Sequence, residues 1–193
     1  MTNGTAIAIG STIISLMSLA VSVSTMYFAW LRRGGLRMTT PAVVFFGFDV
    51  VPKCTAKIFL RTLLYSTAAK GQVIEGMYAK LLRDDTEQTF GFWGYGETNV
   101  VTPGSGLYVG QTGVTVNHHF VVSVHQPAYE FVTGVYEVEV FARIVGRSVP
   151  IRLARITLSV DQEQETILRN RSGVLFELQP DSGTYAGHAS VRR

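Results

Sequence analysis

The sequence predicts a mainly β protein: an N-terminal transmembrane helix, then an antiparallel β-sandwich with one short helix near the C-terminus. Three observations predict it. Residues 1–31 contain no charged side chain. From residue 42 to residue 160 apolar residues recur with period two in short runs broken by Gly, Pro and Asp. The stretch 161–170 interrupts that pattern with the marks of a helix. A chain of 193 residues has room for one domain and an appendage. The expected division is 1–37, the anchor and its basic flank, and 38–193, the β domain.

The run AIAIGSTIISLMSLAVSVSTMYFAWL, residues 6–31, is long enough as a helix to cross roughly 30 Å of hydrocarbon with some tilt. Tyr27 and Trp30 fall where amphipathic rings settle at the headgroups. Gly10, Ser11, Ser15, Ser18 and Ser22 form a small-residue stripe that either packs on another helix or has its serines bonded to their own backbone. A cleaved signal peptide would have a basic N-terminal region and a small-residue cleavage site, and this run ends in MYFAWLRRGG. The lipid bilayer is therefore the expected partner of residues 6–31.

The net charge of +3 and pI of about 9.1 trace to the flank Arg32, Arg33 and Arg37. From residue 38 onward fourteen basic residues balance fourteen acidic ones. The globular part thus lacks the clustered basic surface of a nucleic-acid binder, and no nucleic-acid partner is expected. Because the positive flank follows the helix, the positive-inside rule puts the N-terminus outside and the β domain in the cytoplasm, at the cell (inner) membrane. A periplasmic or external domain binding envelope carbohydrate or protein is the alternative. Asn3 and Asn170 begin glycosylation sequons that would matter only for an external domain of a eukaryotic chain. The single cysteine, Cys54, excludes an intramolecular disulfide and a multi-cysteine zinc site and favours the cytosol.

Expected strands run over 42–51, 57–66, 72–83, 87–96, 106–110, 113–125, 134–145 and 149–160. The clearest hairpin is 134–160. Its first strand points Tyr136, Val138, Val140, Ala142 and Ile144 one way and Glu137, Glu139 and Arg143 the other, so one face is wet. In its second strand the apolar parity shifts from Ile151 and Leu153 to Ile156, Leu158 and Val160, which predicts a β-bulge near Ala154 and Arg155. Asp161 can cap a helix with Glu163 and Glu165 in its first turn and Arg169 near its end. GVLFEL, 173–178, reads as a final strand, and the rest as a Pro180–Gly183 turn and a tail.

The GVYEV opening of strand 134–145 resembles the tyrosine corner of immunoglobulin-like domains, in which a Tyr hydroxyl ties down the preceding connection. Tyr136 would be that residue, although the Cys…Trp…Cys framework is missing. Residues 38–193 as a whole resemble an immunoglobulin-like or fibronectin-like sandwich. The chain is similar in layout to uncharacterised bacterial single-pass membrane-anchored proteins, a likeness that implies architecture and location but no activity.

NHHFVVSVHQP, 117–127, holds three of the four histidines. On a strand His118 and His119 face opposite sides, and His125 lies on the order of 20 Å from His119. A polar or metal site would need His118 or His119 to meet His188, Asp181 or Glu177. The bland reading buries one of His118 and His119 against a hydrogen-bond partner and turns the other to water. No nucleophile elbow, phosphate loop or His-Glu-x-x-His pair occurs. No catalytic residue, cofactor or metal is assigned. FGFWGYG places Phe90, Phe92, Trp93 and Tyr95 between glycines, which serve the core or, if loop 97–106 leaves the edge open, a recognition surface. The expected function is a membrane-anchored, non-enzymatic β-sandwich that binds a protein partner or stabilises a membrane complex. The alternative is a small membrane-bound enzyme using a metal or histidine.

Overall fold

The computed structural model describes residues 3–28, 34–49, 54–68, 70–97, 100–123 and 125–190. Helix α1 (Asn3–Met26) is long and apolar enough to cross a membrane, with a mean hydropathy of 1.9 over Ile7–Met26 and none of that stretch buried. Ser11, Thr12, Ser15 and Thr25 each donate to a carbonyl three or four residues back, which satisfies their hydroxyls within the helix. Trp30, Arg32 and Arg33 lie outside the described residues.

The strands are β1 (Leu36–Met38), β2 (Val43–Asp49), β3 (Thr55–Ser66), β4 (Gln72–Arg83), β5 (Thr86–Phe90), β6 (Phe92–Glu97) and β7 (Val100–Pro103). They continue as β8 (Leu107–Val109), β9 (Val114–Val121), β10 (Gly134–Ile144) and β11 (Ile151–Val160). After helix α2 (Gln162–Arg169) come β12 (Gly173–Leu178) and β13 (Tyr185–Ser190). The larger sheet has the order β13-β12-β2-β3-β9-β6-β7, with β1 beside the far half of β3. The smaller has the order β11-β10-β4-β5, with β8 beside the start of β4. All pairings are antiparallel, and the two sheets share one apolar core, an arrangement that fits a β-sandwich. Phe46 of β2 meets the Tyr136 ring of β10 edge to face at 5.7 Å, across the layers.

Alternation along β3 and β10 sends Ile58, Leu60, Leu64, Tyr136, Val138, Val140 and Ala142 inward. Tyr136, fully buried, donates its hydroxyl to the Val132 carbonyl at 2.7 Å and accepts the Val132 N–H at 2.8 Å. The bulge in the β10–β11 hairpin falls at Leu153: Val140 pairs with Ala154 and Phe141 with Arg152, one residue from where parity alone puts it. Helix α2 forms with Asp161 as its cap, in a capping box with Gln164.

Four segments differ from expectation. The run 87–96 is two strands in different sheets, because Phe90 and Trp93 are both buried and an odd spacing cannot put both on one face of a straight strand. β1 forms at the boundary between the expected basic flank and the β domain, where no strand is expected, and its buried Leu36 joins the core. β7 forms in the expected 97–106 loop and pairs along β6. β13 forms in the expected tail: Tyr185 donates to the Pro41 carbonyl at 2.6 Å, and Gln164 of α2 donates to the Gly187 carbonyl at 3.0 Å. Small residues such as Ala186, Gly187 and Ala189 carry no periodic signal, so the ladder with β12 and these two bonds define this strand.

The chain entering the domain is clasped. Gly34 accepts from Gln72 Nε2 at 2.8 Å, Gly35 donates to Thr67 Oγ1 at 2.8 Å, and the Thr67 N–H donates back to Gly35 at 3.0 Å. A Cβ on Gly34 would stand 2.2 Å from the Ala68 nitrogen.

Tyr136→Phe leaves the Val132 groups without their partner and is expected to cost about 1–3 kcal/mol, read as a lower urea midpoint; an unchanged midpoint would remove the hydroxyl from the account of stability. Gly34→Ala is expected to speed amide exchange at Gly35 and Thr67 while leaving β3 protected, because the backbone clash opens only the clasp.

Candidate functional site

Strand β9 lies between β3 and β6, so each histidine has a neighbour on both sides. His118 pairs in register with Leu60 and Tyr95, and His119 with Phe59 and Gly94. As strand geometry requires, the two rings point to opposite faces. His118 faces the core, is fully buried, and accepts a hydrogen bond at Nδ1 from Trp93 Nε1 at 3.2 Å. That bond fixes the tautomer, with the proton on Nε2, which meets no protein partner. Burial, helped by the neighbouring His119, pulls the His118 pKa down to about 3. The ring is therefore neutral and packs among Trp93 and Phe120 as an aromatic of the core.

His119 faces outward yet is only 4% exposed, with its ring 5.0 Å from Phe59. Burial and the Lys57 charge push its pKa down, while the Gly96 backbone and Asp49 pull the other way. His188 lies on the outer side of β13, opposite Leu175. The register Leu175–Phe45–Phe59–His119 puts His188 four strands from His119, about 19 Å at normal strand spacing. Glu177 is opposite Ala186 on exposed β12 surface, and Asp181 is in the exposed β12–β13 turn. Among the described residues no group of three or more His, Cys, Asp or Glu side chains converges on a metal-sized site.

The four aromatics of FGFWGYG are likewise divided. Phe90 and Trp93 are buried, Tyr95 packs half-buried against Trp93, and Phe92 is 54% exposed. Because β7 pairs along β6, the edge beside them is occupied. Cys54 is exposed. Arg37 lies exposed on β1, opposite Tyr65.

The outer face of the smaller sheet carries an ion-pair lattice that sequence reasoning found only in part. Glu139, 7% exposed, accepts from Arg152 at 2.5 Å and from Arg155 at 2.8 Å, and Glu137 receives Arg155 at 2.9 Å. Burial opposes the Glu139 charge, but the bonds and charges of Arg155 and Arg152 outweigh it and hold the carboxyl below its usual range. Alternation revealed Glu137, Glu139 and Arg143 as one face; the arginine partners depend on the β11 bulge. On α2, Glu165 accepts from both the hydroxyl and the N–H of Thr133, which with Arg169 keep it ionised. These acids are bound to structural partners.

The chain matches no known protein family and no curated protein.

His118 makes stability depend on pH. Its folded pKa lies below that of the unfolded chain, so its contribution is complete above about 6.5 and is lost as pH falls toward 3, by roughly 1 kcal/mol per unit. His118→Gln keeps an acceptor for Trp93 without titrating, and its urea midpoint is expected to fall less between pH 6.5 and 4.5. An equal slope in both proteins would place the titrating group elsewhere.

Proposed function

We propose that the chain is a single-pass membrane protein whose α1 holds a non-enzymatic, immunoglobulin-like β-sandwich at the cytoplasmic surface of the cell membrane. There the domain binds a protein partner or stabilises a membrane complex. The observation that carries this reading is the bare apolar surface of α1: nothing in the described chain covers Ile7–Met26. Those 20 residues rise about 30 Å as a helix, which equals a hydrocarbon core.

The immunoglobulin-like reading rests on strand order. β2-β3-β9-β6 follows the A-B-E-D order of such domains, and β5-β4-β10-β11 follows C′-C-F-G, with Tyr136 at the corner before the F-like strand. β12 and β13 extend the first sheet beyond that plan. A binding role is favoured over catalysis because His118 serves Trp93, His119 and His188 are held apart, and the buried carboxylates are bound to arginines or Thr133. The cytoplasmic side is favoured by the positive flank Arg32, Arg33 and Arg37 and by an exposed free thiol.

Protease added to spheroplasts tests the side. The C-terminal domain is expected to survive until the cells are lysed; digestion before lysis would overturn the orientation and turn the search to an envelope ligand.

A further inference from the structure

We infer that the end of the β domain nearest α1 is itself a membrane-contact surface, which seats the domain on the lipid headgroups of the membrane that α1 crosses. This rests on the reading of α1 as an anchor and adds a second, peripheral contact.

Beyond residue 28, the described residues expose six large apolar side chains: Val73, Phe92, Tyr108, Val135, Val145 and Val149. Four of them gather at one end. Val73 pairs with Tyr108, the Val145 N–H donates to the Val73 carbonyl at 3.0 Å, and Val149 closes the same β10–β11 turn. They are 39%, 60%, 61% and 70% exposed for Val73, Tyr108, Val145 and Val149. Two valines flanking the tip Gly146–Arg147–Ser148 have no folding reason to stand in water.

The same end receives the chain from the helix. Gln72, adjacent to Val73, holds the Gly34 carbonyl, and Gly34 is six residues beyond Phe28. Six residues reach at most about 20 Å even when fully extended, so this end stays close to the helix terminus. A tyrosine with its hydroxyl bonded to the Lys70 carbonyl and its ring 60% exposed suits the amphipathic headgroup layer.

Charge agrees in part: segments 34–38, 66–73, 106–113 and 145–150 contain Arg37, Lys70 and Arg147 and no Asp or Glu, while β6 ends with Glu97 and the β12–β13 turn carries Asp181 toward the same end of the larger sheet. Glu75, just beyond Val73, faces Arg143 at 3.8 Å. The opposite end carries Asp49 paired with Lys57 at 3.4 Å, Asp84 paired with Arg83 at 3.6 Å, Asp161 capping α2, and Asp85 exposed in the β4–β5 turn. Anionic headgroups attract Arg37, Lys70 and Arg147, whereas the opposite end offers them acids already paired with bases and the exposed Asp85, which favours this orientation. The valines add shallow apolar burial of the kind that lies in the headgroup layer rather than spanning it.

The test is fluorescence depth-quenching of the full chain, at one copy per nanodisc of phosphatidylcholine and phosphatidylglycerol, in a Cys54→Ser background. A fluorophore is placed singly at Val149→Cys, at Asp85→Cys on the opposite end, or at Ser15→Cys within α1. Shallow doxyl-lipid is expected to quench the 149 label at least about twofold more than the 85 label, and deep doxyl-lipid to quench the 15 label. Equal weak quenching at 149 and 85 with a strongly quenched 15 label overturns the seating but keeps the anchor. A 15 label that no doxyl-lipid quenches overturns the anchor and the seating together.

Discussion

A phenol hydroxyl buried in an apolar core has to find its partners within the protein, and the Tyr136 hydroxyl finds both of them on Val132. That pair of bonds fixes the connection by which the chain leaves the larger sheet after β9 and enters the smaller one at β10. Phe46, Phe131 and Tyr136 then stack around it at centroid distances of 4.8 to 6.5 Å. The constraint extends outward along the chain. Thr133, the next residue, binds Glu165 of α2; Gln164, beside Glu165, reaches the Gly187 carbonyl of β13. A core hydroxyl, a helix and an edge strand are thereby one hydrogen-bonded sequence. The helix also occupies part of an edge that would otherwise offer free backbone groups.

The two outer faces solve solvation differently. The smaller sheet spreads Glu137, Glu139, Arg152 and Arg155 over its surface, with Tyr78 stacked on Phe141 at 5.0 Å. The larger sheet carries Phe45, Phe59 and His119 in adjacent register positions and uses glycine to accommodate them: the Phe45 ring lies where Cβ atoms of Gly47 and Gly173 would be. Half-buried rings on an outer face are tolerable because the glycines let them lie flat on the backbone. Outside α1, most of the exposed large apolar residues gather instead at the end where the chain from α1 enters the domain.

Much of this was legible in the sequence. The opposed faces of His118 and His119 follow from a two-residue repeat, and the α2 cap from Asp161; the reciprocal bond of Gln164 came only with the structure. The partner of His118 was not legible, because Trp93 reaches it only after the chain changes sheets at Gly91, a step that local pattern reads as one continuous strand. Nor were the arginines around Glu139, which a single bulge at Leu153 sets in place, or the gathering of Val73, Tyr108, Val145 and Val149, which come from three separate segments.

By itself the sequence determined the apolar helix, the period-two domain, the tyrosine corner and the helix cap, since each depends on residues near one another along the chain. Only the tertiary structure decided which strands are neighbours, that Tyr185–Ser190 is a strand at all, and which end of the domain receives the chain from α1. Those outcomes arise from contacts beyond the reach of a local repeat, such as Tyr185 with Pro41 and Gln72 with Gly34, where the fold chooses the partner.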